Sequence, residues 1–204
     1  MKIVVITWLV AISFACNAEE SYRIPGGIGE NERGEYAPKS HYKILGIEIS
    51  NSTLKSIKKM VGDATVYEGS HTADHLCYIT KKQKIEFTIS SLGFGYEVER
   101  IGNEDTSRCK HIQSSLKSGA GLKVGLEKST VLELLGKPSK KSENSASYIY
   151  WVQEKPGKEI EERLRAAHEI PDSQGLWLDV YTGIRILYIN NVVEKFSVHT
   201  TETY

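Results

Sequence analysis

The chain is poor in cysteine, with three in 204 residues, and it has no excess of charge of either sign. It has no collagen period and no long low-complexity tract, which excludes fibrous and wholly disordered classes. Lysine and arginine together number 26, as do aspartate and glutamate, so the formal net charge is zero. No overall field gathers a polyanion, and no nucleic-acid partner is expected. Beyond the first residues, no segment approaches the roughly 18 continuous apolar residues that a membrane-crossing helix needs. No transmembrane segment is therefore expected in the mature chain.

The beginning of the chain is the exception. Lys2 is followed by an apolar run of about 13 residues that ends at Ala15, then by small residues and Glu19-Glu20. A basic start, an apolar stretch too short to span a bilayer and small residues before a polar shift form the pattern of a secretory leader. Residues 1–18 are expected to be removed after Ala18, giving a periplasmic or secreted protein. Cleavage after Ala15 would instead leave Cys16 at the new terminus, as in a lipoprotein. Loss of residues 1–18 takes away Lys2 and no acid, so the chain stays nearly neutral.

Export also bears on the two remaining cysteines, Cys77 and Cys109. An even number in an oxidising compartment is expected to pair. The motifs His75-Leu76-Cys77 and Cys109-Lys110-His111 offer a zinc alternative, because two Cys and two His can bind that ion tetrahedrally. Their i, i+2 spacing is not that of a zinc finger, so the disulfide is preferred and no metal is expected. His71 and His75 would share a face of a helix, but Gly69 and its polar neighbours indicate a loop entering a strand.

Residues 19–40 hold four Gly, two Pro and many charges without periodicity, and read as a flexible or extended arm. Gly26-Gly27-Ile28-Gly29 has no strand before it and no helix after it, so a phosphate cradle is not indicated. Two stretches of similar plan follow. In residues 41–118, Ser52 or Asn51 is a helix N-cap. Leu54, Ile57, Met60 and Val61 then recur at helical spacing, and Gly62 is the stop. In residues 119–204, Val131, Leu134 and Leu135 form the apolar face and Gly136-Lys137-Pro138 closes the helix. Strands are expected at 76–79, 84–89, 95–101, 148–152, 176–181, 184–189 and 192–198, with hairpin turns at Thr182-Gly183 and Asn190-Asn191. A helix is expected over 159–170, supported by Glu159 with Arg163 and Glu161 with Arg165, and ended by Pro171.

Leu122-x-Val124-Gly125-Leu126, with Ser129, Val131 and Leu134-Leu135-Gly136-Lys137-Pro138, resembles a signature of exported bacterial domains. These domains are similar to the β-lactamase inhibitor protein and to small outer-membrane assembly lipoproteins of the SmpA/OmlA type. The resemblance implies two tandem units over about residues 42–199, each a short helical segment followed by an antiparallel sheet. It implies little about function, because such domains serve as inhibitors and as envelope scaffolds. The fold expected is therefore α+β, with a first unit and linker at 41–118 and a second unit at 119–204.

Chemistry is sparse. No Gly-x-Ser-x-Gly elbow occurs, oxidised cysteines make poor nucleophiles, and the acids are scattered. No catalytic residue and no cofactor is expected. Glu97 and Glu99 share a strand face, for which a solvent-facing edge is the simpler explanation than acid–base work. Aromatic residues are more suggestive. If Ile149, Leu178 and Val180 are core, then Tyr148, Tyr150, Trp177 and Tyr181 lie together on the open face of a sheet, where they would form a protein-binding surface. The opposite assignment is equally legal, because Trp151 must also be placed. The function expected is a non-enzymatic exported module with an unknown protein partner. An envelope assembly factor lipidated at Cys16 is the alternative, and a metal-dependent hydrolase a more distant one.

Overall fold

A computed structural model describes residues 21–49, 52–68, 73–90, 93–103 and 105–203. The leader expected at residues 1–18, with Cys16, and also Asn51 and His71 lie outside these residues. The described chain runs β1 (Tyr22–Arg23), α1 (Lys39–Tyr42), α2 (Leu54–Val61), β2 (Val66–Glu68), β3 (Asp74–Ile79), β4 (Gln83–Ser90), β5 (Gly93–Arg100) and β6 (Lys110–His111). It continues with α3 (Lys128–Leu135), β7 (Lys140–Lys141), β8 (Ser145–Glu154), α4 (Lys158–His168), β9 (Leu178–Ile189) and β10 (Val192–Thr203).

These strands form one ten-stranded sheet in the order β1-β8-β9-β10-β5-β4-β3-β2, with β6 added beside β3 and β7 beside β8. The pairing is antiparallel along that whole order. The expectation of an α+β fold built from two helix-plus-sheet units is thereby corrected. The molecule is mostly a single large antiparallel sheet, and the four helices among the described residues are short, at 4, 8, 8 and 11 residues. The decisive seam is β5 against β10, where Lys195 faces Glu99 and Thr200 faces Phe94. Both strands alternate apolar and polar residues, so pairing them continues one core face across both halves.

Local chemistry accounts for the helices. At the start of α2, Thr53 Oγ1 accepts from the Ser56 amide at 3.2 Å, and the Thr53 amide donates to Ser56 Oγ at 2.9 Å. This reciprocal cap satisfies two amides that would otherwise lack a helical partner, and it places the N-cap at Thr53 rather than at Ser52. Gly62, at φ +119°, ends the helix in a conformation that a side chain would oppose. α4 contains no buried residue and is held by the Arg165 guanidinium on Glu161 at 2.6 Å.

All of the large core lies on one face of the sheet. Leu76, Tyr78, Phe87, Val98, Phe196, Ile186 and Tyr148 point there and are at most 1 % exposed. Ile57 of α2, Val131 and Leu135 of α3, and Ile44, Ile47 and Leu122 from loops cover them. Each such side chain contributes about 1.5–3 kcal/mol by leaving water. The arm seals the free edge of β8. There β1 pairs with Gln153 and Glu154, and the Arg33 amide donates to the Ile149 carbonyl at 3.0 Å. Covering an edge in this way removes a template for association with another strand.

The turn expected at Thr182-Gly183 does not form. Both residues lie inside β9, which runs unbroken over 12 residues. Gly183 is needed for space and not for a turn, because a Cβ there would run into the His199 ring of the neighbouring strand. The Asn190-Asn191 turn is present, with φ values of 52° and 62°, the positive pair that a tight hairpin requires. Among the described residues, no helix is long and apolar enough to cross a membrane.

Candidate functional site

With α2, α3 and the covering loops packed on one face, the other face of the sheet carries every second residue away from that core. Register determines what meets there. Across the middle run Gly183 of β9, His199 of β10, Gly95 of β5, Thr88 of β4 and His75 of β3. The two glycines flank His199 and lower the surface on either side of it. A Cβ on Gly95 would come 2.7 Å from the Val198 carbonyl oxygen. The result is a shallow depression of about 350 Å³ floored by β4, β5 and β10, with Thr88, Glu97, Ser197 and His199 on its walls. Glu97 and Ser197 also line an adjoining depression with Arg185 and Lys195.

Beside this furrow runs a chain of ion pairs over four strands. Lys195 Nζ reaches Glu97 at 2.6 Å and Glu99 at 3.2 Å, and Lys84 Nζ reaches Glu99 at 2.6 Å and Glu86 at 3.9 Å. Glu86 then meets His75 Nδ1 at 2.7 Å. Partial burial opposes the charge on Glu99, but the hydrogen bonds from Lys84 and Lys195 outweigh it and hold the carboxyl below its ordinary value. Burial likewise opposes the charge on Lys195, and its bonds to Glu97 and Glu99 raise its pKa in spite of that. Such half-exposed pairs contribute little stability, about 0–1 kcal/mol each. What they do contribute is order, since long side chains that would sweep through solvent are held in one alternating pattern of charge.

Aromatic rings stand at both ends. Trp151 lies opposite Tyr181, whose ring is 5.3 Å from that of His199. At the far side Tyr67 stacks on His75 at 5.3 Å, with the Arg108 guanidinium 5.6 Å from its ring. Burial, and then the Glu86 carboxylate, raise the Tyr67 pKa, so this phenol stays protonated.

The four aromatic residues expected on one open face are divided. Tyr148 and Tyr150 face the helices and are each 1 % exposed. Tyr181 is on the open face and half-buried. Trp177 lies just before β9, beneath the guanidinium of Arg23 at 4.3 Å. The register gives the reason: Tyr148 is opposite Ile184 and Val152 is opposite Val180, while Ile149 is opposite Gly183 on the other side. Ile149 and Val180 therefore belong to different faces. Tyr150 is built into a polar cluster within the core. Its hydroxyl accepts a hydrogen bond from Arg33 and lies 3.0 Å from His41 Nδ1. Arg33 Nη2 also donates to the Leu135 and Lys137 carbonyls, at 2.8 and 3.1 Å.

Cys77 and Cys109 form the disulfide, with Cα atoms 4.5 Å apart, so neither thiol is left as a zinc ligand. His75 is turned to Glu86 and His111 is exposed. Glu97 and Glu99 share a face, on a strand in the middle of the sheet rather than at its edge, and both are held by Lys195. His199, Lys195, Arg185 and Thr88 were not singled out in the sequence. The only signal was alternation, which does not say which strands become neighbours.

The fold and site define an antiparallel sheet protein with its main core on one face and a charge-lined furrow on the other. Comparisons with family models, curated proteins and solved structures returned no match.

Proposed function

We propose that this protein is a non-enzymatic binding module, acting outside the cytoplasm, that docks a protein partner on the open face of its sheet. The observation that carries the reading is the ordered charge pattern Glu97, Lys195, Glu99, Lys84, Glu86 beside a glycine-floored furrow, with Trp151, Tyr181 and Tyr67 at its ends. Aromatic anchors supply contact energy at protein interfaces, and arranged charges select the partner and set its register. Because the acids and bases are already paired with one another, the surface is better suited to reading a complementary pattern than to exchanging protons. The leader-like start and the Cys77–Cys109 bridge support an oxidising compartment.

The test is affinity capture from an envelope extract of the source cells, with the disulfide intact. Ser197→Arg and Thr88→Arg place long charged side chains in the furrow without touching the core, and each is expected to lose the partner while melting normally. Lys59→Glu, on the exposed side of α2, is expected to retain it. Retention by both furrow variants would refute the assignment.

A further inference from the structure

We propose that a second site, on the helix-bearing side of the sheet, binds a small amphiphilic carboxylate. α3, the loop after it, and strands β7 to β9 enclose a cavity of about 440 Å³, within the range of small-molecule sites. Leu132, Pro138 and Ala146 give it an apolar lining. Leu132 is 52 % exposed although it lies on the cavity side of α3, so an apolar ligand would cover a surface that the fold leaves wet.

The polar groups converge on one kind of ligand. Tyr148 and Tyr188 line the cavity at 1 % and 3 % exposure. Both phenols line the cavity, where their hydroxyls can donate to a bound acceptor. Burial raises the pKa of both phenols, which keeps their protons available for donation. Lys128, Lys137 and Lys141 stand around the opening. The Lys128 ammonium is held by the Glu143 carbonyl at 2.8 Å and lies 5.2 Å from the Tyr188 ring. Lys137 and Lys141 are exposed and able to swing over an occupant. No carboxylate among the described residues lines the cavity. Two phenol donors and a cationic rim select an anion, and the apolar lining selects an anion with a hydrocarbon body.

Equilibrium dialysis of the full disulfide-bonded protein against labelled octanoate tests this directly, with 1-octanol and octylammonium as comparison probes. Octanoate is expected to saturate at one equivalent. Octanol and octylammonium are expected to bind at least about tenfold more weakly, for want of the charge-assisted contacts. Lys137→Glu and Lys141→Glu, both at exposed positions, should each weaken octanoate about fivefold without changing the melting temperature. Tyr148→Phe with Tyr188→Phe should do so about tenfold. Octylammonium or octanol binding as tightly as octanoate, octanoate uptake that does not saturate, or octanoate affinity unmoved by the lysine reversals would each overturn the proposal.

Discussion

Two tyrosines at nearly equal burial should respond in opposite ways to loss of the hydroxyl. Tyr150 and Tyr96 are 1 % and 2 % exposed, both in the core. The Tyr150 hydroxyl accepts from Arg33 and faces His41 Nδ1, whereas the Tyr96 hydroxyl has no partner. In Tyr150→Phe the ring still packs, but the Arg33 guanidinium loses one of its three partners and keeps only the Leu135 and Lys137 carbonyls. A hydrogen bond to a charged group contributes about 1.5–3 kcal/mol, and loss of that order is expected. For a chain of this length the melting temperature should fall by roughly 3–12 °C. Tyr96→Phe removes an unsatisfied polar atom and leaves no orphan behind. It should be neutral or stabilise by about 1 kcal/mol. Guanidinium denaturation of both variants, with equal m-values as the check that the same surface unfolds, reads the difference. If Tyr96→Phe costs as much as Tyr150→Phe, the hydroxyl network is not what distinguishes them and the reasoning fails.

Three further outcomes follow from the same structure. Reduction of Cys77–Cys109, which spans 32 residues, should destabilise the chain by about 3.7 kcal/mol in the loop-entropy treatment, measured by denaturation with and without reductant. Burial, and then the Arg33 charge, lower the His41 pKa below its ordinary 6.5. As pH falls through that value the unfolded chain takes the proton first, so stability should be full above about pH 6.5 and decline beneath it. His41→Gln should flatten that acid limb, and an unchanged slope between pH 6.5 and 5 would contradict the assignment. Asn191→Gly should be tolerated within about 0.5 kcal/mol, since glycine adopts positive φ freely, whereas Asn191→Val should cost more than about 1 kcal/mol.

The parts of this fold legible in the sequence are those decided by neighbours along the chain. The apolar spacing of Leu54, Ile57 and Val61 with Gly62 marks α2, and Val131 to Gly136 marks α3, because propensity and capping act within one turn. The pair Asn190-Asn191 announces a hairpin for the same local reason. Cys77 and Cys109 are joined, as the parity of the two cysteines beyond the apolar start suggests. What escaped is decided across the chain. That β10 pairs with β5 is a choice of partner about 100 residues away, and alternation alone fits several partners equally well. Thr182-Gly183 has turn composition, but the His199 ring across the strand requires a residue without a side chain there. Tyr148 and Tyr150 were placed by assuming Ile149 and Val180 to be on one face, and a one-residue difference of register inverts that assumption. The candidate surface was visible as an idea, an open sheet face, but with the wrong residues on it. Of its members, Tyr181 was named in advance for the surface, whereas Trp151, Lys195 and His199 emerge only once four strands are laid side by side.

The central claim is that partner recognition belongs to the open face and not to the helix side. Chemical footprinting of the captured complex addresses it most directly, by comparing amine labelling at Lys195 and Lys84 with labelling at Lys59 and Lys55 on α2. The account predicts protection at Lys195 and Lys84 with no change on α2. Protection at Lys55 and Lys59 while the Lys195 and Lys84 labels stay constant would contradict it.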